Sequence, residues 1–543
     1  MTVAASGNNR RSFLVGLGAS AVSGVLITAS MPNFDVSFLG WIALIPLLLA
    51  IEALPKASPT FMAMPFGLIW SIAVHNWYPN MFGPVLGCFL IFAVGSWYAM
   101  LIGLGIRLQR RMSGAFRLLA LPVLWAAFEF VKYIAPGVEN WWFVLLAKSQ
   151  WRFPPALQVL SVTGFPGLTF LVMLGNVALA FLLLKAWRDH KLDRLSAAAL
   201  MIVISVVVWG AVTIPNPPQE TFSIAATVDL ANQDPEIQKL SHLPAGKEGY
   251  YTDTPEMSQA IFDVNAELTR KVVDTKGAFV VWPENEFADA DDPRFIGQLG
   301  TLAKELGAYI VADVVWRAPT GMHDTALMVG PEGKEMGRRA KINTTDGEES
   351  NGFVPGPRDF PVFDTPHGKV GIGVCWDRHR LWITRELARA GAQIVLMPVD
   401  DDFNHSRWFP AFHASDSVFR AVENRVAFGL GSTSGISLVV DPYGRVMAES
   451  GINEREAIIG KTFTVSGTTL YTRFGDWFGW LMVVGVVTMA GTILFGRLEI
   501  IINPFRILKM AFFNLDTHLA IRYILIDRPV NAMEVLYDCS TTQ

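Results

Sequence analysis

The chain has 543 residues, 51% hydrophobic and only 17% charged, with a mean hydropathy of +0.35. That balance excludes a disordered chain, a collagen-like fibre and a disulfide-rich mini-domain. The net charge of −4 conceals an asymmetry: residues 1–215 hold 14 Lys/Arg against 6 Asp/Glu, residues 216–476 hold 25 against 37, and residues 497–543 hold 5 against 5. A nearly charge-free stretch followed by one of soluble-protein charge density reads as a membrane domain followed by a water-exposed domain. No basic patch or Cys/His finger spacing supports nucleic-acid binding.

A spanning helix needs about 20 mostly apolar residues. The expected spans are Ser12–Met31, Phe38–Leu54, Phe61–Trp77, Phe82–Ile106, Leu118–Ile134, Leu157–Leu184, Ser196–Ile214 and Trp477–Gly496. Pro65, Pro84 and Pro122 fall near the starts of spans, where neighbouring helices can satisfy the freed carbonyls. Basic residues recur in every second loop: Arg10 and Arg11, Lys56, then Arg107, Arg110, Arg111 and Arg117, then Lys185, Arg188, Lys191 and Arg194, and finally Arg497, Arg506 and Lys509. The loops 32–37 and 78–81 have no Lys or Arg. By the positive-inside rule the basic loops and both termini face the cytoplasm, and residues 216–476 lie on the outer face. In a bacterium that is the periplasmic side of the inner membrane. Arg10-Arg11 before an apolar run also resembles a signal peptide, but the run is long and further spans follow, so a retained helix is expected. Glu129 and Lys132 lie within or at the end of the fifth span, either as a functional pair or as a helix-end pair at the interface.

From residue 222 short β-branched runs alternate with helical stretches. Expected strands are Phe222–Leu230, Ala278–Pro283, Tyr309–Trp316, Thr325–Val329, Lys369–Cys375, Gln393–Pro398, Val426–Ser432 and Ile436–Asp441. Expected helices are Pro255–Asp274, Pro293–Leu306, Trp382–Ala390 and Ala411–Asn424. Continuous apolar strands such as AQIVLMPV imply sheets covered on both faces, hence a layered α/β domain. Pro331-Glu332-Gly333 and Asp441-Pro442-Tyr443-Gly444 read as hairpin turns. The tail 497–543 mixes apolar and basic residues and reads either as an interfacial helix or as a partly ordered tail.

Of three cysteines, Cys88 falls in a span, Cys539 in the tail, and Cys375 alone in the outer domain. A lone thiol in an oxidising compartment has no disulfide partner. Cys375 ends the run KVGIGVC and precedes WDRHR, and strand C-termini are where α/β domains present reactive groups. A buried core cysteine is the alternative reading. Glu284 closes AFVVWPE, and Lys341 follows the hairpin strand HDTALMVG and the run RRA. A carboxylate and a lysine at strand ends could complete a base and an electrophile for the thiol.

Taken together these segments resemble a family. VVWPENEF, RRAKINTT and GIGVCWDRHR, in that order, resemble the glutamate, lysine and cysteine motifs of the nitrilase, or carbon–nitrogen hydrolase, superfamily. FRAVENRVAF and STSGISLVVDPYGRVMAES resemble its later segments. The resemblance covers about 222–465 and implies an αββα sandwich with a Glu284–Lys341–Cys375 triad. The flanking spans, with FLGWIALIPLLLAIEAL, the segment around GFPGLTFLVMLGNVALA and TLYTRFGDWF, resemble the apolipoprotein N-acyltransferase family over roughly 12–496. That resemblance implies acyl transfer from a phospholipid, through a cysteine thioester, to the α-amino group of a lipoprotein's N-terminal diacylglyceryl-cysteine. It implies no cofactor and no metal, and a monomer is expected. The family's Lys-x-x-Leu-Val-Pro-Phe-Gly-Glu becomes KINTTDGEE here. Its second essential glutamate corresponds to Glu349 by count, or to Glu348 by matching Gly-Glu. Its Cys-Tyr-Glu becomes Cys375-Trp376-Asp377, with the acid one methylene shorter, and its Asn-Asp-x-Trp segment becomes VDDDF. Trp141, Trp142, Trp408 and Phe409 are expected near a lipid path. Competing readings are a membrane-tethered amidase or nitrilase that releases the acyl group to water, and a non-enzymatic scaffold. The expected organisation is a membrane domain over 1–215, a catalytic domain over 216–476, a closing span over 477–496 and a cytoplasmic tail over 497–543.

Overall fold

The computed structural model describes residues 2–136, 144–242, 254–274, 276–285, 287–402 and 406–494. Residues 1–489 form one compact unit. Trp141, Trp142 and the tail 497–543 lie outside the described residues.

The N-terminal region is helical: α1 (Thr2–Ser30), α2 (Ile45–Ala53), α3 (Met64–Val74), α4 (Pro84–Arg111), α5 (Gly114–Ile134), α6 (Phe165–Asp189) and α7 (Arg194–Thr213). Five described segments are long and apolar enough to cross a membrane: Arg10–Ser30 and helices α4 to α7. The expected spans at Phe38–Leu54 and Phe61–Trp77 are broken instead. The first is a 3-10 turn, Ser37–Trp41, followed by α2, which restarts with Pro46 in its first turn. The second is one turn, Pro59–Met62, followed by α3, which restarts with Pro65. Proline fits a first helical turn but cannot donate to an earlier one, so each apolar run folds as two pieces. At about 1.5 Å per residue neither piece crosses a hydrocarbon core of about 30 Å. Close packing of α3 on α4 depends on glycine, since a Cβ on Gly67 would lie 2.1 Å from the Gly95 carbonyl oxygen.

The basic loops gather at one end of the bundle. Arg110 and Arg117 lie near Glu52, Arg110 also donates to the Pro55 carbonyl, and Arg188 donates to the Glu52 carbonyl. The loops of the other end meet the second half of the chain. Asn33 donates to the Trp408 carbonyl, Arg152 pairs with Glu449, and the Trp77 ring meets Phe409 edge-on.

That second half is a two-sheet sandwich. Its strands are β1 (Phe222–Val228), β2 (Phe279–Val281), β3 (Tyr309–Ala318), β4 (Gly321–Val329), β5 (Glu335–Ala340), β6 (Val362–Thr365), β7 (Gly368–Ile372), β8 (Ile394–Val399), β9 (Ala427–Ser432), β10 (Leu438–Val440), β11 (Val446–Glu449) and β12 (Glu456–Thr462). The sheets run β12-β1-β2-β3-β4-β5 and β11-β10-β9-β8-β7-β6. Centres are parallel (β1, β2, β3 and β7, β8, β9) and edges antiparallel. Side chains alternate as a pleat requires. Ile224, Phe279, Val281 and Val311 join the core shared with the second sheet, while Ala225, Val280, Ile310 and Ala312 join a core under α8 (Pro255–Val272) and α9 (Pro293–Leu306). The sheets touch closely at β9, where a Cβ on Gly431 would lie 2.5 Å from the Val281 carbonyl oxygen.

The second sheet is backed by α10 (Leu381–Arg389) and α11 (Phe409–Asn424). Every residue of α11 is buried, polar ones included. The helical region covers one of its faces, so its charges find partners there and within the sandwich: Asp416 with Lys148, His413 with Asp401, and Arg420 with Glu423. A last helix, α12 (Trp477–Leu494), sets Gly479 against the Phe130 ring and Trp480 edge-on to it.

Candidate active site

Three strand ends of the sandwich converge. After β2 the Trp282 N–H still donates to Val311 on the neighbouring β3, and the chain then leans across to the other sheet, where the Glu284 N–H donates to Val399 at the end of β8. Glu284 is thereby carried to the seam between the sheets. Lys341 follows β5 and is pinned by its own N–H on the Asp324 carbonyl, 2.8 Å away. Cys375 follows β7 in a tight turn with φ of +41°, a left-handed conformation that costs energy for a side chain with a Cβ. All three side chains are buried.

Lys341 Nζ lies 2.6 Å from Glu284 Oε1 and 2.9 Å from Asp324 Oδ2, and it also bonds Glu348 Oε1. Oxygens of Glu284, Asp324 and Glu348 lie within 4.8 Å of one another, a spacing that could hold a cation. The lysine ammonium itself fills that place. The other oxygen of Glu284 accepts the Asp400 N–H at 2.6 Å, and the Cys375 thiol donates to the Asp400 carbonyl at 3.6 Å. Asp400 therefore stands between the carboxylate and the sulfur.

Burial shapes the electrostatics. It pushes the Glu284 carboxyl well above the usual carboxylate range, with Asp324, Glu348 and Asp400 adding to the shift and Lys341 opposing it. Burial also raises Glu348. For Lys341 burial disfavours the charge, but Asp324, Glu284 and Glu348 outweigh it and hold the ammonium well above its ordinary value. Burial and then the Glu284 charge push the Cys375 thiol well up, against Lys341 and Arg378. Desolvation lifts Asp400 to about 7. The site thus holds a protonated thiol beside a carboxylate of raised basicity and a fixed ammonium. Such a set can take a proton from sulfur and stabilise an oxyanion.

The remaining expected residues divide. Counting favours Glu349, yet Glu349 is exposed and accepts only from the Thr344 hydroxyl at 2.6 Å among its described bonds. Glu348 is buried, reaches Lys341 and closes a capping box with Thr345. Asp377 does not face the pocket of the three side chains. It pairs with Arg339 at 2.9 Å and accepts the Ile342 and Asn343 N–H groups, fastening the cysteine turn to the segment after Lys341. Trp376 packs its ring against His413 and edge-on to His379. Trp408 is 38% exposed and its ring meets Phe34 at a tilt, whereas Phe409 is wholly buried against Trp77 and His413. Glu129 is buried and accepts from Trp125, Thr169 and the Leu146 N–H, and Lys132 donates to the Val144 carbonyl. Together they tie α5 to α6 and to the following loop.

Sequence reasoning missed Asp324, Arg339 and Asp400. Asp324 is a charge in the middle of the run HDTALMV, and Arg339 is the second arginine of RRAK. Unpaired charges at such positions were the available signal.

Two family models match the chain: the apolipoprotein N-acyltransferase N-terminal domain over residues 23–178, and carbon–nitrogen hydrolase over residues 255–465. An apolipoprotein N-acyltransferase of Geobacter metallireducens is 26% identical over 521 residues, covering 89% of this chain and 95% of its own length. The chain belongs to the apolipoprotein N-acyltransferase family. It is accordingly a membrane enzyme of the nitrilase superfamily, from a family whose substrates are lipids. A second family member, from Thermotoga maritima, is 24% identical and covers 87% of this chain and 92% of its own length. An omega-amidase of Xenopus laevis is 30% identical over 188 residues, 31% of this chain and 67% of its own length. A crystal structure of an amidase from Nesterenkonia sp. aligns with 44% of this chain and 89% of its own at 20% identity, with a TM-score of 0.33.

Proposed function

We propose that this enzyme moves an acyl chain from a membrane phospholipid to the α-amino group of a lipoprotein's N-terminal diacylglyceryl-cysteine. The observation that carries the reading is the buried contact of Glu284 with Lys341 beside Cys375, in a sandwich seated on membrane helices. Glu284 takes the Cys375 proton as the sulfur attacks the ester carbonyl. The tetrahedral oxyanion is held by Lys341 and the Trp376 N–H. The carbon–oxygen bond breaks, the leaving alkoxide receives the proton from Glu284, and a lysophospholipid departs. An acyl thioester remains on Cys375. The acceptor amine then attacks, Glu284 takes its proton, and the thiolate leaves and is reprotonated. Glu348 and Asp324 keep Lys341 charged and aimed. The same residues make the thioester without a cofactor.

Residues 1–215 are proposed as the membrane domain, 216–476 as the catalytic domain on the outer side, 477–496 as the closing span and 497–543 as a cytoplasmic tail. The gathering of the basic loops at the end remote from the sandwich supports that orientation. Hydrolysis of the same acyl-enzyme is the second reading, favoured by the likeness to an omega-amidase. Purified enzyme given an acyl-labelled phospholipid and a diacylglyceryl peptide separates the two. Transfer predicts label in amide linkage on the peptide, dependent on Cys375. Release as free fatty acid at the same rate with and without peptide contradicts transfer.

A further inference from the structure

The cysteine turn is held from the membrane side as well as from within the sandwich. His379 lies four residues after Cys375 and is wholly buried. Its backbone carbonyl accepts the hydroxyl of Tyr133, from the last turn of α5, at 2.9 Å. Its ring Nδ1 lies 3.1 Å from the same Tyr133 oxygen and 3.2 Å from Asp416 Oδ2 on α11. A carboxylate can only accept, so Nδ1 carries the proton. Asp416 in turn pairs at 2.9 Å with Lys148, which lies in the turn Leu146–Gln150 between α5 and α6. Lys148 also donates to the Phe412 carbonyl at 2.7 Å, fixing the first turn of α11. Lys148, His379 and Asp416 are fully buried, and Tyr133 is 3% exposed. One side chain of the helical region, Tyr133, therefore reaches both the backbone and the ring of a residue in the nucleophile's turn, and a second, Lys148, reaches that ring through Asp416. A left-handed residue such as Cys375 persists only where its surroundings over-determine it.

We infer that Tyr133 and Lys148 are positioning residues for Cys375: through His379 and Asp416 the membrane helices hold the 375–380 turn in its reactive placement. The inference rests on Cys375 as the nucleophile. Neither residue touches substrate. Their effect is on how well the sulfur is aimed, and a displacement of about 1 Å far from the chemistry can cost a hundredfold in rate.

The decisive variant is Tyr133→Phe in the full-length enzyme in phospholipid nanodiscs, because it deletes one hydroxyl and leaves the ring packing. The rate of acyl-thioester formation on Cys375 is followed against donor concentration, alongside the thermal midpoint. The expected result is a kcat lowered roughly tenfold or more with an unchanged KM and a fully folded protein. Lys148→Arg is expected to keep more of kcat than Lys148→Met. If Lys148→Met does not fold, Tyr133→Phe decides alone. A wild-type kcat in Tyr133→Phe, or a loss confined to KM, overturns the inference. Absence of any thioester in the unaltered enzyme instead overturns the proposed nucleophile, so the two failures are told apart.

Discussion

Glu348 and Glu349 are adjacent acids that the sequence nearly fails to separate, and their substitution by glutamine separates them chemically. Glu348 supplies one of three carboxylates around the Lys341 ammonium and is buried, while Glu349 is exposed and bonds a threonine hydroxyl. A hydrogen bond to a charged group contributes about 1.5–3 kcal/mol. Glu284 and Asp324 still hold Lys341 when the third carboxylate is lost, so the full penalty for a stranded buried charge does not arise. At about 1.4 kcal/mol per tenfold, the expected loss in acyl transfer for Glu348→Gln is roughly ten- to a hundredfold. Glutamine can still accept the Thr345 N–H, so the capping box survives and folding is spared. Glu349→Gln keeps an amide oxygen to accept from the Thr344 hydroxyl in a part-buried bond, loses at most about 1 kcal/mol and is expected to be near wild type. The assay is single-turnover transfer from labelled phospholipid to a diacylglyceryl peptide. A silent Glu348→Gln together with a crippled Glu349→Gln would refute the assignment.

Other outcomes follow from the same geometry. Glu284 works as a base only when ionised, and its carboxyl is raised by burial and by its acidic neighbours. Activity should therefore fall as pH drops through a value above about 4.3, the ordinary glutamate pKa. Asp400→Asn removes one of the charges that raise Glu284, so the acid limb of kcat/KM should move to lower pH; a limb that stays fixed contradicts the coupling. Asp377→Ala strands the buried Arg339 and should cost about 3–5 kcal/mol, read as a lower thermal midpoint. Gly431→Ala drives a methyl group into the Val281 carbonyl and should cost about 1–3 kcal/mol by the same measurement. Because Lys341 occupies the space among Glu284, Asp324 and Glu348, chelators and added divalent cations should leave the transfer rate unchanged.

Much of the sandwich was legible because its central strands are buried on both faces and read as continuous apolar runs. All eight expected strands are present, with ends shifted by a few residues, as are the four expected helices. The strands missed were β5, β6, β11 and β12, the edge strands of the two sheets, where charged residues such as Arg338, Asp364 and Lys461 are tolerated and erase the pattern. The broken apolar segments around Pro46 and Pro65 were hidden for the opposite reason: a hydropathy window averages over a proline that ends a helix. At the site, residue type and order pointed to Glu284, Lys341 and Cys375. The choice of Glu348 over Glu349 was not readable, because counting from the lysine and matching Gly-Glu give different acids, and only the helical turn at Asp346–Ser350 decides which acid faces Lys341. The partners of Asp377 were equally unreadable: it lies close to the nucleophile in sequence, but it supports the site through Arg339 and three backbone amides, those of Ile342, Asn343 and Val374.

The central claim is that Cys375 carries the acyl chain between two lipids. Mass spectrometry of the intact enzyme after incubation with phospholipid tests it directly. The account predicts an adduct of one acyl mass on the peptide containing Cys375, labile to hydroxylamine, absent in Cys375→Ala, and discharged when a diacylglyceryl peptide is added with amide-linked acyl product appearing in its place. Transfer that proceeds undiminished in Cys375→Ala, or an acyl adduct found on another residue, would contradict it.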